Sequence, residues 1–281
     1  MLDQTCTDHE CIVIDDASND DTTEVINSFD DDRLIFLRHE ENRGASAARN
    51  TGIKHSGGRF IAFLDDDDEW LPNKLEKQVV LLSGSEEKIG MVYCWMDYYD
   101  EKRNLVYKHH PTLKGYVFPQ VLDDQRLGGC PTLLVKRQVF DKIGSFDESL
   151  PRGNDGDFIR RACRRYEVDF VPEVLVKVHV DHGKDRISDQ NIEGIQNHIN
   201  SIIIKLNKFQ YELDKLPEQR SNILFDLAHS YAKFGKYSEA LYYFMKALKS
   251  KQFSKEYFKI FLSNIKSIII LSLKHFVLLY D

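Results

Sequence analysis

Up to about residue 188, apolar runs of strand length alternate with stretches of helix length. Residues 10–15 (ECIVID) and 60–64 (FIAFL) are apolar runs closed by carboxylates, the pattern of strands buried on both faces. Residues 34–38 (LIFLR) form a shorter run. Ser18 and Asn19 can cap a helix over 21–29, and residues 42–52 (NRGASAARNTG) give a turn and then a helix of small residues from which Arg49 projects. Beyond the acidic run a further helix is predicted, with Pro72 in its first turn and Leu71, Leu75, Val79 and Leu82 on one stripe. This alternation predicts βαβ units, an α/β fold and a mostly parallel central sheet flanked by helices.

The next segments are shorter. Residues 91–99 (MVYCWMDYY) read as a strand with 105–108 as its hairpin partner, 117–122 as a short helix, 132–135 as a strand and 138–143 as a short helix. Asn154 or Asp155 can cap a helix with Phe158, Ile159 and Ala162 on its apolar stripe. Residues 168–171 and 174–180 read as two closing strands, followed by a loop over 181–188. From about residue 191 the chain turns to helix formers, beginning with a long amphipathic segment over 192–213. Leu224, Leu227, Ala228, Tyr231, Gly235, Tyr237, Ala240, Phe244 and Ala247 then follow the spacing of one tetratricopeptide repeat, near residues 221–252. A lone repeat does not bury its own core, so it is expected to dock on the helices before and after it. The predicted division is therefore an α/β domain over 1–188 and an all-α region over 189–281.

Composition narrows the function classes. A 281-residue chain with 42% hydrophobic residues can bury a full α/β core and still carry a helical tail. A net charge of -7 argues against nucleic acid as a partner. Five cysteines without a CxxC pair suit reduced thiols in a cytoplasmic protein, and the polar start MLDQTCTDHE is no signal peptide. The most apolar segment, 268–280, is too short for a membrane span and is interrupted by Lys274 and His275. The apolar stripe of the last helices, over 257–280, reads as core, with peripheral contact at the inner face of the cell membrane, or with a protein partner, as the alternatives.

Asp65, Asp66, Asp67 and Asp68 crowd the end of a buried strand, where their mutual repulsion is poorly explained by stability alone. Their complement is a hard divalent cation whose shell is completed by a ligand's phosphates. In an open α/β sheet, ligands sit at the carboxyl ends of the strands, which brings Asp15 and Asp16 to the same edge.

The segments ECIVIDDASNDDT, ENRGASAARNTGI, FIAFLDDDDEWLP, IGSFDESL and NDGDFIRRA resemble, in this order, the successive blocks of family 2 glycosyltransferases of the GT-A fold. The resemblance implies a metal-dependent inverting enzyme that moves a sugar from a nucleotide-diphosphate donor, often a UDP-sugar, to a hydroxyl of a glycan or lipid-linked acceptor. It implies that Asp16, with Asp15 before it, reads the edge of a uracil-type base. Asp65 and Asp67 fit the DxD spacing, with Asp67 as the ligand of Mg²⁺ or Mn²⁺ and Asp65 and Asp66 nearer the ribose. Arg49 would contact the donor phosphates, or else pair with Glu40 or Glu41. Asp155 matches the general base, with Asn154 where relatives carry a glutamate, and Asp157 is expected on the helix exterior. His182, in competition with His179, would lie near the diphosphate or metal.

The front of the chain departs from the family. Residues 1–8 already match the turn after the first strand–helix unit, so that unit is expected to be absent. The absent strand would lie between 10–15 and 60–64. Two competing readings follow: a donor-binding but catalytically impaired fragment, and an interaction module acting through the helical tail.

Overall fold

The computed structural model describes residues 1–124, 126–180, 191–249, 255 and 259. Strands β1 (Cys11–Asp15) and β2 (Leu34–Arg38), joined through α1 (Thr22–Asn27), pair in parallel as a sheet of their own. Helix α2 (Ala45–His55) packs on β1. A six-stranded sheet is built from β3 (Phe60–Ala62), β4 (Asp68–Trp70), β5 (Ile89–Tyr99), β6 (Leu105–His109), β7 (Leu134–Lys136) and β8 (Glu167–His179). Its order is β3-β7-β5-β8-β4, with β6 on β5. Helices α3 (Lys74–Ser83), α4 (Phe118–Asp123), α5 (Arg137–Ile143) and α6 (Asn154–Cys163) complete the α/β arrangement.

The α/β class is the one the alternation of elements predicts, but the sheet is not mostly parallel as expected: the described strands form two sheets, and the larger is mixed. β1–β2 and β5–β8 are parallel, whereas β3–β7, β4–β8, β5–β6 and β5–β7 are antiparallel. β1 and β3 do not pair with each other, and each has one hydrogen-bonded neighbour among the described residues. Two devices link them. At one end Glu10 Oε1 accepts from Gly57 N at 2.6 Å and Gly58 N at 3.0 Å. At the other, α2 carries side-chain contacts described below.

Three expected elements change shape. The strand predicted over 60–64 ends at Ala62, and the acidic run does not open a helix. Asp68 N donates to Asp65 O at 3.2 Å, closing a turn into β4, because residues 68–70 pair with Val176–Val178 of β8. The helix then starts at Lys74, past Pro72. The two strands predicted over 168–171 and 174–180 are one, β8. Its register with β5 jumps from Val171 to Val174, skipping Pro172, which has no N–H to donate. The core beneath the sheet holds Trp70, Leu75, Leu82, Val92, Met96 and Val176, where each fully buried large side chain contributes about 1.5–3 kcal/mol.

The chain divides into two compact units. The second gathers Leu122–Asp124, Leu150–Gly153 and the helical tail. In it α7 (Ile192–Lys208), capped by Asn191 Oδ1 accepting from Gly194 N at 2.7 Å, is followed by α8 (Gln210–Leu213). The pair α9 (Pro217–Lys233) and α10 (Tyr237–Leu248) turns at Gly235 and packs Leu224, Phe225, Ala228 and Ala247 together. Tyr231 and Tyr243 stack at 5.4 Å. Asn222 Nδ2 donates to Asp123 Oδ2 at 2.7 Å, and Ser201 Oγ to Arg152 O at 2.8 Å. Residues 250–252 of the expected repeat, the apolar segment 268–280 and the loop 181–188 with His182 lie outside the described residues. No helix among the described residues is long and apolar enough to cross a membrane.

Candidate active site

Helix α2 organises the site. Its N-cap, Gly44, sits at φ 87°, a conformation open to glycine at no steric cost. Gly44 N donates to Asp16 Oδ2 at 2.6 Å, and Arg43 N to both Asp16 oxygens at 3.0 and 3.1 Å. His39 Nδ1 contacts Asp16 Oδ1 at 2.6 Å. Burial pushes the Asp16 carboxyl up, but the N–H of Arg43, His39 and the N–H of Gly44 outweigh it and hold it below its ordinary value. Asp15 is more deeply enclosed, its side chain 2% exposed against 19% for Asp16. It accepts from Ser18 N at 2.8 Å and pairs with Arg38 at 3.2 Å. Burial raises its pKa, Ser18 and Arg38 more than reverse that, and it too stays ionised below the usual range.

One turn further along, Ser46, Arg49 and Asn50 lie on one face of α2, the spacing that stacks side chains along a helix. Asn154 Nδ2 donates to Ser46 Oγ at 2.8 Å. Arg49 Nη2 donates to Asp65 Oδ1 at 2.7 Å and Nη1 to Asn154 Oδ1 at 3.4 Å, with the guanidinium 5.6 Å from the Phe146 ring centre. Asn50 donates to Phe146 O and Glu148 Oε1 and accepts from Phe146 N. Gly44 and Arg49 are five residues apart, roughly 7.5 Å of helical rise, so one short rod holds both Asp16 and Asp65.

Arg49 therefore meets Asp65 and Asn154, not Glu40 or Glu41. Its own burial disfavours the charge, but the neighbouring Cys130, Asp65 and Asp155 override this, so it stays protonated at any working pH. Asp155 lies in the first turn of α6, where Gly156 N donates to its Oδ1 at 2.7 Å. Its Oδ2 faces Gly129, where a Cβ would come within 3.6 Å of it. Beneath lies Cys130, whose thiol burial pushes far up despite Arg49. Asp157 is a correction: it does not face outward but is buried, pairing with Arg161 Nε at 2.7 Å.

Asp66 is exposed and Asp67 half-buried. Among the described residues, no group of three or more His, Cys, Asp or Glu side chains is placed to hold a metal. His179, at the end of β8, lies 3.6 Å from Glu69.

The Gly128–Leu133 segment is gripped from below by side chains that motif reading passes over. Trp70 Nε1 donates to Pro131 O at 2.8 Å, Gln78 Nε2 to Thr132 O at 2.8 Å and Lys74 Nζ to Leu133 O at 3.4 Å. Gly128 has φ 97°, and a Cβ there would meet Thr132 Oγ1 at 2.9 Å. A lysine and a glutamine four residues apart beside the apolar stripe of α3 are the signal that could have found this grip.

Lys74 is 0% exposed, lies 4.0 Å from the Trp70 ring centre, and has its pKa pushed down by burial to about 8. Between about 8 and the ordinary 10.5 the unfolded chain binds the extra proton. Lys74 thus makes stability rise with pH across that window, by about 3 kcal/mol at most. Cys94, pushed up by burial to about 11, acts in the opposite sense at high pH. The contribution is accordingly read as the difference in unfolding free energy between the parent and Lys74→Met, measured from pH 7.5 to 10.5. Parallel curves for the two proteins would show that Lys74 titrates normally.

A sequence profile described as Glycosyl transferase family 2 matches residues 1–144. An uncharacterized glycosyltransferase of Methanocaldococcus jannaschii is 32% identical over 193 residues, covering 64% of this chain and 64% of that protein. An Escherichia coli protein named UDP-Glc:alpha-D-GlcNAc-diphosphoundecaprenol beta-1,3-glucosyltransferase is 46% identical over 82 residues, 29% of this chain and 32% of that protein. The chain thus spans less than two thirds of the length of these relatives. Among solved structures, S. aureus TarS 1-349 in complex with UDP superposes with a TM-score of 0.54 at 17% identity, covering 88% of this chain and 82% of that one. That likeness is one of fold.

Proposed function

The chain belongs to glycosyltransferase family 2, and we propose that it transfers a sugar, with inversion, from a UDP-sugar to a hydroxyl of a glycan or lipid-linked acceptor. The observation that carries this reading is the meeting of Arg49, Asp65 and Asp155 beside Gly129, at the ends of elements far apart in the chain. A protonated arginine suits a diphosphate, and a carboxylate with one free oxygen suits a hydroxyl.

The roles follow from chemistry and place. Asp16, oriented by Arg43, Gly44 and His39 and more open than Asp15, accepts the imide proton of the base. Asp65 and Asp66 stand toward the ribose, and Arg49 toward the phosphates. Asp155 Oδ2 takes the proton of the acceptor hydroxyl as that oxygen bonds to the anomeric carbon. The bond from that carbon to the diphosphate breaks on the opposite face, and one such displacement inverts the centre. The carboxylates of Asp66 and Asp67 fit a hard cation, Mg²⁺ or Mn²⁺, held by Asp67, with the remaining ligands coming from phosphate and water. When bound, such a cation offsets charge on the leaving diphosphate. The name of the E. coli relative makes UDP-glucose, and a GlcNAc diphosphate lipid, the first substrates to try. A lipid-linked acceptor would place the protein in the cytoplasm, working at the inner face of the membrane.

The test is thermal unfolding with UDP, with and without Mn²⁺, for the parent and Asp67→Asn, alongside UDP-glucose turnover. At a hundredfold excess over Kd the ligand adds about 2.7 kcal/mol. The parent is expected to gain this only with Mn²⁺ present, and Asp67→Asn to lose it. Equal stabilisation of both proteins removes Asp67 as the metal ligand. Turnover without any response to Mn²⁺ removes metal dependence altogether.

A further inference from the structure

Neither backbone nor packing explains why residue 129 is a glycine. Its φ is -86° and its ψ 178°, an extended conformation that any residue adopts. A Cβ there would meet Pro131 Cδ at 3.5 Å and Asp155 Oδ2 at 3.6 Å, both ordinary van der Waals distances. The fold therefore has room for a methyl group at this position. Gly128 beside it differs, since its φ of 97° and the 2.9 Å approach to Thr132 both call for glycine.

The bare Cα of Gly129 is also held in place. Thr132 Oγ1 donates to Gly129 O at 2.9 Å, and Thr132 N donates to the same oxygen at 3.0 Å. Thr132 is buried, and its own carbonyl accepts from Gln78 Nε2 at 2.8 Å. Pro131 O accepts from Trp70 Nε1 at 2.8 Å. Gly129 is thus tied to the end of β4 and to α3, the elements that follow the acidic turn. A wall fixed in this way transmits a steric change to whatever lies against it, where a loose loop would yield.

What lies against it is the reactive side of Asp155. Asp155 Oδ1 accepts from Gly156 N at 2.7 Å, so the oxygen that faces Gly129 is the one left to take a proton. Gly129 and Asp155 are both half-buried, whereas Gly128, Cys130 and Gly156 beside them are buried. A hydroxyl donating to Oδ2 lies about 2.6–3.2 Å from it, close enough to compete with a Cβ at 129 for the space around that oxygen. The hydroxyl of water carries no carbon. The carbon of a primary alcohol bears one further carbon, and that of a secondary alcohol bears two. Room beside Oδ2 accordingly matters least to water and most to a secondary alcohol.

We infer that Gly129 is a specificity-determining residue, whose missing side chain lets a secondary ring hydroxyl of the acceptor reach Asp155 Oδ2. The inference rests on the transferase reading and deepens it, because it names the class of hydroxyl that the site admits.

Gly129→Ala in the full chain is the test. The variant is expected to melt no lower than the parent, because alanine at a compatible backbone position restricts the unfolded chain. A lowered melting temperature would assign the glycine to the fold and overturn the inference. Both proteins are then treated with a water-soluble carbodiimide in an equimolar mixture of methylamine and isopropylamine. Isopropylamine carries its nitrogen on a secondary carbon, as a ring hydroxyl carries its oxygen, and peptide mass spectrometry gives the ratio of the two amides at Asp155. That ratio of isopropyl to methyl amide is expected to fall by about tenfold in Gly129→Ala, the scale of one methyl group in a fitted site. Equal ratios overturn the inference, and so does an Asp155 that fails to react in the parent.

UDP-glucose hydrolysis, and transfer to GlcNAc 1-diphosphate esterified to an octyl chain, are recorded on the same proteins. The ratio of transfer to hydrolysis should also fall by about tenfold in the variant. A parent without turnover beside a changed amide ratio counts against the transferase reading alone. Turnover with an unchanged ratio of transfer to hydrolysis counts against the role of Gly129 alone.

Discussion

Asp155→Asn is expected to lower sugar transfer by about a hundredfold or more while leaving UDP binding intact. The amide keeps the size of the carboxylate and still has an oxygen to accept from Gly156 N, so the first turn of α6 is preserved. What it loses is basicity at the second oxygen, the one facing Gly129. In the proposed single displacement the loss is expected to fall on kcat and not on the affinity for the donor. Rates of UDP release with and without acceptor, together with the UDP-induced melting shift, separate the two. Unchanged transfer would mean that Asp155 only caps its helix and that the base lies elsewhere.

Arg49→Met is expected to act on both stability and turnover. It removes the cation that sits between Asp65 and Asp155 above the buried Cys130, leaving two carboxylates with less compensation. Asp65 retains partial contact with water, its side chain 38% exposed, so the cost in stability is about 1–2 kcal/mol, short of that for a fully buried pair. Turnover should fall by about a hundredfold, the scale of losing one donor aimed at developing negative charge. Arg49→Lys keeps the charge but cannot reach Asp65 and Asn154 together, and should lie between parent and Arg49→Met. Urea midpoints and kcat/KM for the donor measure the two effects. A variant with normal turnover and a lowered midpoint would reduce Arg49 to a structural ion pair.

Both predictions depend on α2 as a shared support. Its cap fixes Asp16, its next turn fixes Asp65 and Asn154, and Asn50 fixes the 146–148 segment through Phe146 and Glu148. Small residues such as Ala45, Ala47 and Ala48 let the helix lie close to β1, where Gly52 stands against Ile14. The site is thus held by a secondary-structure element and not by loops alone, which favours a fixed geometry for the groups it carries.

The sequence by itself determined what depends on near neighbours in the chain. Apolar runs closed by carboxylates gave β1 and β3 and placed Asp15, Asp16 and Asp65 at their ends. The small-residue stretch gave α2, and the ordered blocks gave the family. Only the tertiary structure decided matters that rest on residues distant in the chain. Arg49 could equally have paired with Glu40 or Glu41 as far as spacing goes. It is packing of α2 against the turn after β3 and the start of α6 that hands it Asp65 and Asn154. Asp157 reads as a solvated helical position, yet it is buried and pairs with Arg161, whose other N–H groups donate to the 143–145 carbonyls. The length of the strand after residue 59 was set by pairing with β7 about seventy positions later, and the appearance of β4 in place of a helix start by pairing with β8 more than a hundred positions later. Local periodicity records which face of an element is buried. It holds no record of which partner buries it, and the Lys74–Gln78 grip on the Gly128–Leu133 segment exists only through that partner.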